Sequence, residues 1–541
     1  MKSMRNAKTL ISAGTLWLVL SLVAGTPLAA WASSSEDEPA PGRAMARQVT
    51  KVERPGITTD HSRLEPLQRT FTKGAEITQA CMSCHTEAES QFHQSIHWSW
   101  RAGEEKGKAG YSLNNFCISA NKGMDKGCMK CHPGWGKSTE AINCLVCHGQ
   151  KKIQWDEIFQ DYAAFAESDD PDEKEIAAEI QTEIQAAAQA VAQPGRQNCG
   201  SCHFYGGGGD GVKHGDLDSS LAKPNKALDV HMGVDGQNFD CTRCHTTHEH
   251  HIAGRIYTAP AYTDRKSLVE DDLIAKITCE SCHTSTPHKE GSKPNDHTDK
   301  VACQSCHIPT MARVNPTKMS WDWSKAGKLK DGKPYTTEDE FGKHDYMSIK
   351  GQMRWDKNIQ PEYFWYNGVI ESVTVKDAVD PSGTVAVSHP VGDRTDPDSR
   401  IYPFKVHRGK QPYDKVHKTL LAPLLSTPKG YWTTFDMKGA LQNGQKALGL
   451  PFSGEFDFVP TTYVFPTTHM VAPKDNVVQC SECHVKKEGR LQSLSGFYMP
   501  GRDHNSWLNT IGWVAVLGAL VGVMLHGLGR IFTSGNGRKE N

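Results

Sequence analysis

The chain is 541 residues long, with 61 Lys and Arg against 62 Asp and Glu, a formal net charge of −1 at pH 7 and 37% hydrophobic residues. Charge this balanced argues against a nucleic-acid partner and gives no global steering of a charged one. The apolar fraction is thin for the two or three ordinary cores that the length would otherwise allow.

In chain order, Lys2, Arg5 and Lys8 precede the apolar run TLISAGTLWLVLSLVAGTPLAA, and small residues close it at Ala30 and Ala32. This is the form of a secretory signal, so residues 1–32 read as a signal peptide and the mature chain starts near Ser33. Residues 33–60 are polar, with Pro and Ser, and read as an extended lead-in.

Sixteen of the 17 cysteines then fall into eight C-x-x-C-H motifs. In order these are Cys81, Cys84 and His85; Cys128, Cys131 and His132; Cys144, Cys147 and His148; Cys199, Cys202 and His203. The second four are Cys241, Cys244 and His245; Cys279, Cys282 and His283; Cys303, Cys306 and His307; Cys480, Cys483 and His484. In such a motif the two thiols form thioethers to a porphyrin and the adjacent histidine ligates its iron. Zinc knuckles do not require that histidine and disulfides do not require the spacing. Eight covalent c-type haems are therefore expected. Their attachment outside the cytoplasmic membrane agrees with the signal peptide.

Haems also supply the missing core. The expected fold is mostly α with extensive loops, eight haems forming the interior, and one C-terminal transmembrane helix. The clearest soluble helix is residues 170–193, acidic at its start, alanine-rich, stopped by Pro194, and read as a surface spacer. Motifs close along the chain, those at 128 and 144 and those at 279 and 303, should be spatial neighbours. The stretch between the seventh and eighth motifs has no attachment site but holds His344, His389, His407, His417 and His469. It reads as a cover supplying distal ligands.

Of 25 histidines, eight sit in motifs, leaving seventeen. Candidates for distal iron ligands are His97, His214, His231, His251, His288, His389, His407 and His469, with His93, His248, His250 and His504 behind them. His61, His297 and His344 lie in polar stretches and read as solvated. The unpaired Cys117 is a candidate reactive thiol or a buried inert one. Taken alone, the glycine run before Lys213 reads as a surface turn.

From Asn505 to Gly529 there is no charged residue. That length can span a bilayer, with Trp507 and Trp513 at one interface and Arg530, Arg538 and Lys539 beyond the other. Residues 33–505 are then periplasmic, 506–530 the anchor and 531–541 a cytoplasmic tail. Gly518 and Gly522 permit close helix approach and hence a homo-oligomer. His526 lies within the span.

The chain resembles the octahaem tetrathionate reductase family of multihaem c-type cytochromes. The residues that carry this are the eight motifs, NNFCI at 114–118, NCLVCH at 143–148, NCGSCHFYGGGGDGVKHGDLD at 198–218, DVHM at 229–232 and PGRDHN at 500–505. The resemblance implies seven bis-histidine electron carriers and one catalytic haem on the second motif, whose proximal ligand is a lysine. That role maps onto Lys213, with Asp210 and Cys117 beside it and His132 displaced; Lys151 and Lys152 are the alternatives. Glycines would let such a loop approach a haem closely. No C-x-x-C-K motif exists, so that nitrite-reductase signature is absent. The implied activity is reduction of a small inorganic substrate: tetrathionate, nitrite or hydroxylamine. Electrons would come from a quinol-oxidising membrane partner or a periplasmic cytochrome. The other readings are a conduit with every haem bis-histidine, and the same scaffold run as an oxidase of hydroxylamine or sulfur compounds.

Overall fold

The structure, a computed structural model, describes residues 40–51, 57–99, 113–116, 118, 131, 133–135, 141–254 and 277–536. The expected signal peptide and Cys117, Cys128 and His132 lie outside the described residues. Contacts divide the chain into a small unit, Met1–Glu53 with Cys282–Asp296, and a large unit holding the rest. In the small unit α1 (Pro41–Val49) docks through Gly42, whose N–H donates to Pro287 O at 3.0 Å.

The first half of the large unit is helical. It contains α2 (Gly74–Met82), α3 (Trp155–Ala166), α4 (Pro171–Gln189) and α5 (Arg196–His203). The Asp170 carboxylate caps α4 by accepting the Asp172 N–H at 2.9 Å. The helix stops at Gln189, short of Pro194, because the chain is drawn into a bridge. There Gln150 N–H donates to Ala190 O and Ala192 N–H to His148 O, at 2.8 and 2.9 Å.

This helix is no surface spacer. Ile184 and Ala188 pack with Leu67, Phe71, Ile77 and Leu145. Gln181, Gln185 and Gln189 recur every four residues and so share one face. Their amides bond the backbone of Phe71, Arg69 and Leu67 in turn. Gln181 holds both groups of Phe71, donating to its O at 2.6 Å and accepting its N–H at 3.0 Å.

The second half departs from the mostly helical expectation. Residues 317–466 carry an eight-stranded mixed sheet. Its strands are β1 (Thr317–Asp322), β2 (Thr336–Glu338), β3 (His344–Met347), β4 (Gly351–Asp356), β5 (Glu362–Tyr366), β6 (Val385–Ala386), β7 (Arg400–Asp414) and β8 (Phe456–Pro466). The order is β6-β8-β7-β1-β4-β3-β2, with β5 also paired to β7. The two long strands β7 and β8 are antiparallel, Lys405 opposite Phe465 and His407 opposite Tyr463; β1 joins β7 in parallel, Ser320 opposite Arg408.

The sheet hides from pattern reading because its inner face is polar. In β7 Lys405, His407, Gln411 and Asp414 are all at most 1% exposed, so hydrophobic alternation is erased. One core nevertheless joins the sheet to the haem-motif half, with Leu113, Phe116, Ile118 and Val212 packed among Trp321, Trp323, Tyr463 and Phe465. Between β7 and β8 in the chain lies α6 (Met437–Leu448). At the end of the chain α7 (Ser506–Asn536) contains a 28-residue segment, Ser506–Thr533, long and apolar enough to cross a membrane and unburied in the protein. It is a candidate anchor.

Gln181→Ala should leave the N–H and C=O of Phe71 unpaired, each at about 1–3 kcal/mol. A fall in denaturation midpoint of the purified protein measures this; an unchanged midpoint would show that α4 is held otherwise.

Candidate metal centres

Several of the described attachment motifs are short helical turns ending at or one residue before the histidine, as in Leu145–His148, Cys303–His307 and Cys241–Cys244. What faces that histidine tests whether a haem fits. His85 has His61 opposite, ring centres 6.4 Å apart. His203 has His97 at 6.2 Å, His148 has His250 at 6.5 Å, His245 has His469 at 6.3 Å and His484 has His297 at 6.1 Å. Two metal–nitrogen bonds of ~2.0 Å, with ~1.1 Å from each nitrogen to its ring centre, require a separation of roughly 6.2 Å. Five motif histidines therefore stand at the distance that one iron between two imidazoles demands.

The rings are also prepared as ligands. The Nδ1 atoms of His148, His245 and His484 lie 3.0, 2.7 and 2.7 Å from the carbonyls of Ala192, Ala253 and Pro500. In the small unit His283 Nδ1 lies 3.1 Å from Gly42 O. An Nδ1–H so engaged fixes the tautomer and leaves Nε2 to a metal. Burial lowers the pKa of His97, His148 and His245, and takes that of His203 to about 4. These imidazoles are held neutral, as ligation requires. At His469, Asp216 outweighs burial and raises the pKa; its Oδ2 is 3.3 Å from Nδ1 and accepts the backbone N–H at 2.9 Å.

Thiols of different motifs meet in pairs. The thiol of Cys81 is hydrogen-bonded to that of Cys144, Cys199 to Cys241, Cys279 to Cys303 and Cys202 to Cys131. The neighbourhood of the motifs at 279 and 303 is thus seen. The third motif's Cys144 abuts the first motif, and the second motif's Cys131 abuts the fourth.

The distal set differs from the sequence expectation in instructive ways. His250, not His251, faces His148. His248 and His251 pair across a tight hairpin, and Glu249 and His250 occupy its two central positions with φ of 47° and 63°, which throws His250 outward. His61 and His297, expected in solvent, stand opposite motif histidines; polar neighbours mark the chain on either side, not the face a porphyrin would cover. His389 is half-exposed, its Nε2 3.3 Å from the Glu371 carboxylate. His214 and His407 meet aromatic rings, Phe465 at 4.9 Å and Phe116 at 4.6 Å. His231 stacks on Phe239, ring centres 6.4 Å apart; beside it Val230 N–H donates to Val471 O, and Ala472 N–H donates to His307 O. His288 lies in the small unit, its Nδ1 3.2 Å from Asn295 Oδ1.

The glycine-rich stretch follows α5. Gly207 has φ 82°, and a Cβ there would stand 3.1 Å from Phe116 Cβ; Gly211 has φ 67°, and its Cβ would stand 2.9 Å from Pro316 O. Only glycine lets the backbone pass both. The loop carries Lys213 into the interior. Burial lowers the pKa of its amine, and the Cys131 thiol of the second motif is the neighbour that opposes this. The amine also lies 5.4 Å from the centre of the Phe465 ring. Asp210 points elsewhere: it accepts the Ser219 N–H at 2.8 Å and an Asn315 amide hydrogen at 3.2 Å, closing the loop. Lys151 and Lys152 are exposed.

Comparison with solved structures adds the decisive observation. Octahaem cytochrome c from Shewanella oneidensis matches with a TM-score of 0.64 and 36% identity, over 79% of this chain and 94% of that one. This chain belongs to the octahaem cytochrome c family. A family model described as bacterial cytochrome c also matches residues 318–487, which take in most of the sheet. No curated protein matches. As a c-type cytochrome of this family the chain holds covalent haem through its C-x-x-C-H motifs, and its chemistry is redox chemistry.

Two predictions follow from this geometry. His61→Ala and His297→Ala should each convert a single haem from low to high spin in the electron paramagnetic resonance (EPR) spectrum, whereas His389→Ala should leave the spectrum unchanged. Gly211→Ala, strained at its φ and against Pro316 O, should cost about 1–3 kcal/mol, seen as a lower denaturation midpoint; equal stability would mean the loop can retreat.

Proposed function

We propose that the chain is a periplasmic octahaem reductase, secreted by residues 1–32 and anchored by α7. It carries eight covalent haems, one of them catalytic. Seven would be bis-histidine, paired as His85 with His61, His148 with His250, His203 with His97, His245 with His469, His484 with His297, His307 with His231, and His283 with His288. The eighth, on Cys128 and Cys131, would take Lys213. The observation that carries this reading is the second motif's Cys131 thiol acting on the Lys213 amine, in a chain where five of the other motif histidines face a second histidine.

When bound, that haem supplies an iron with one axial position open to a small inorganic substrate. The chain's residues do the rest. Burial lowers the pKa of the Lys213 amine, which favours the neutral form that a metal would need. Its glycine loop and Phe465 hold it in place. Reduction of tetrathionate fits: two electrons cleave the central S–S bond and release two thiosulfates. Nitrite and hydroxylamine are the other substrates in view. A membrane quinol oxidase or a periplasmic cytochrome would supply the electrons.

In the purified holoprotein, Lys213→Ala should change one EPR signal and lower turnover of tetrathionate, nitrite or hydroxylamine at least about 100-fold. A wild-type spectrum containing only bis-histidine signals, unaltered in the variant, would overturn the catalytic assignment and leave an electron conduit.

A further inference from the structure

Lys405 is an unusual residue for the middle of a sheet. It sits on β7, 1% exposed; burial lowers the pKa of its amine well below the usual lysine range, Lys318 adding to this and Asp216 opposing it. A buried amine is costly unless its polar hydrogens are bonded, and a lysine offers at most three directions. Here all three are used. The amine donates to Val212 O at 2.9 Å, to Lys213 O at 3.1 Å and to Thr317 Oγ1. Thr317, itself 1% exposed, opens the neighbouring strand β1. With its oxygen accepting from Lys405, its own hydrogen goes to Gly211 O at 2.6 Å, and His214 O stands 3.2 Å away. Four consecutive carbonyls, Gly211 to His214, are therefore met by two side chains from two paired strands.

Every one of those carbonyls belongs to the loop that carries Lys213. A glycine-rich loop has little stiffness of its own. A loop needed only as a turn could be closed by backbone bonds or apolar packing, without a buried lysine. A metal ligand is different, since it must be held within about 0.5 Å of its working position. Lys405 also lies over Phe116, 5.6 Å from the ring centre. Phe116 in turn packs on Phe465 at 5.2 Å, the ring that the Lys213 amine approaches. The clamp thus acts on the backbone on one side and on the aromatic support on the other.

We propose that Lys405, acting with Thr317, is the positioning residue that sets Lys213 as an axial ligand, so that the sheet serves as the rigid backing of the catalytic loop. This rests on the ligation by Lys213 proposed above. It gives the match of the family model to the sheet a physical purpose, because the clamp sits where β1 and β7 join.

The test uses the full-length holoprotein with haem content verified, comparing wild type, Lys213→Ala, Lys405→Met, Thr317→Val and Thr317→Ser. In Lys405→Met and Thr317→Val the signal that depends on Lys213 should shift, and kcat should fall about 10- to 100-fold, with the bis-histidine signals unmoved. Thr317→Ser, which keeps the hydroxyl, should restore both. If Lys405→Met fails to accumulate, Thr317→Val alone decides. A signal lost in Lys213→Ala but unmoved in the clamp variants overturns the positioning role and leaves the ligation standing. So does a general loss of thermal stability with that signal's line positions intact. A signal indifferent even to Lys213→Ala overturns the ligation, and the clamp's role with it.

Discussion

An iron between two imidazoles dictates the spacing of two pieces of chain to within a fraction of an ångström, and this protein is organised around that requirement. The motif histidine is placed easily, since it ends a helical turn begun by a cysteine of the same motif. The facing histidine is the difficult half. It comes from wherever a second segment can be fixed at about 6 Å, and the chain uses a different device each time. His61 follows a turn capped by Asp60. His250 is thrown out by a tight hairpin. His469 is held through backbone and ring by the buried Asp216. Irregular structure prevails in this half because regular elements would not deliver single side chains to so many separate points.

The sheet solves the opposite problem. It is an extended regular element, and it turns polar side chains inward, against the usual rule. Asn115 shows the logic. Its side-chain oxygen accepts from Thr461 Oγ1 at 2.9 Å, and its amide donates to His407 O at 2.9 Å. The segment leading to Ile118 is thereby fastened to β7 and β8. Lys405 and Thr317 fasten the segment from Gly211 to His214 to β7 and β1. Two loops with no regular structure of their own inherit the rigidity of the strands, and both converge on Phe116 and Phe465.

Legibility in the sequence follows from the kind of information each feature needs. The C-x-x-C-H motifs are local, because thioether formation and ligation need three residues at fixed spacing, so they stand out in any reading. The apolar C-terminal helix is legible for the same reason. Distal ligands are non-local, and polarity misleads: His61 and His297 sit among charged residues yet face motif histidines, while His389 and His407 sit in strands and do not. The helix at Pro171–Gln189 could be found from its cap and its alanines. Its glutamine ladder could not, because amides bonding a distant backbone leave no hydrophobic pattern. The sheet was hidden by its own function, since Lys405, His407 and Gln411 occupy positions where an ordinary strand would show valine or isoleucine.

The contacts among motif thiols carry one more consequence. Cys81 meets Cys144, and the pKa of Cys147 is pushed up to about 11 by burial and by the nearby Cys202. Cys199 meets Cys241; Cys279 feels Cys244 and bonds Cys303; Cys306 feels Cys483. The motifs therefore touch in the order first, third, fourth, fifth, sixth, seventh, eighth. The second enters this row from the side, through Cys131 and Cys202 of the fourth motif. The row has two ends, and the loop bearing Lys213 leaves it at the fourth motif, in its interior. The fourth motif then becomes the junction: His203, which ends α5, faces His97, while the chain leaving it becomes the glycine loop bearing Lys213. One helix end thus serves both the row of motifs and the loop that Lys405 and Thr317 hold by its carbonyls.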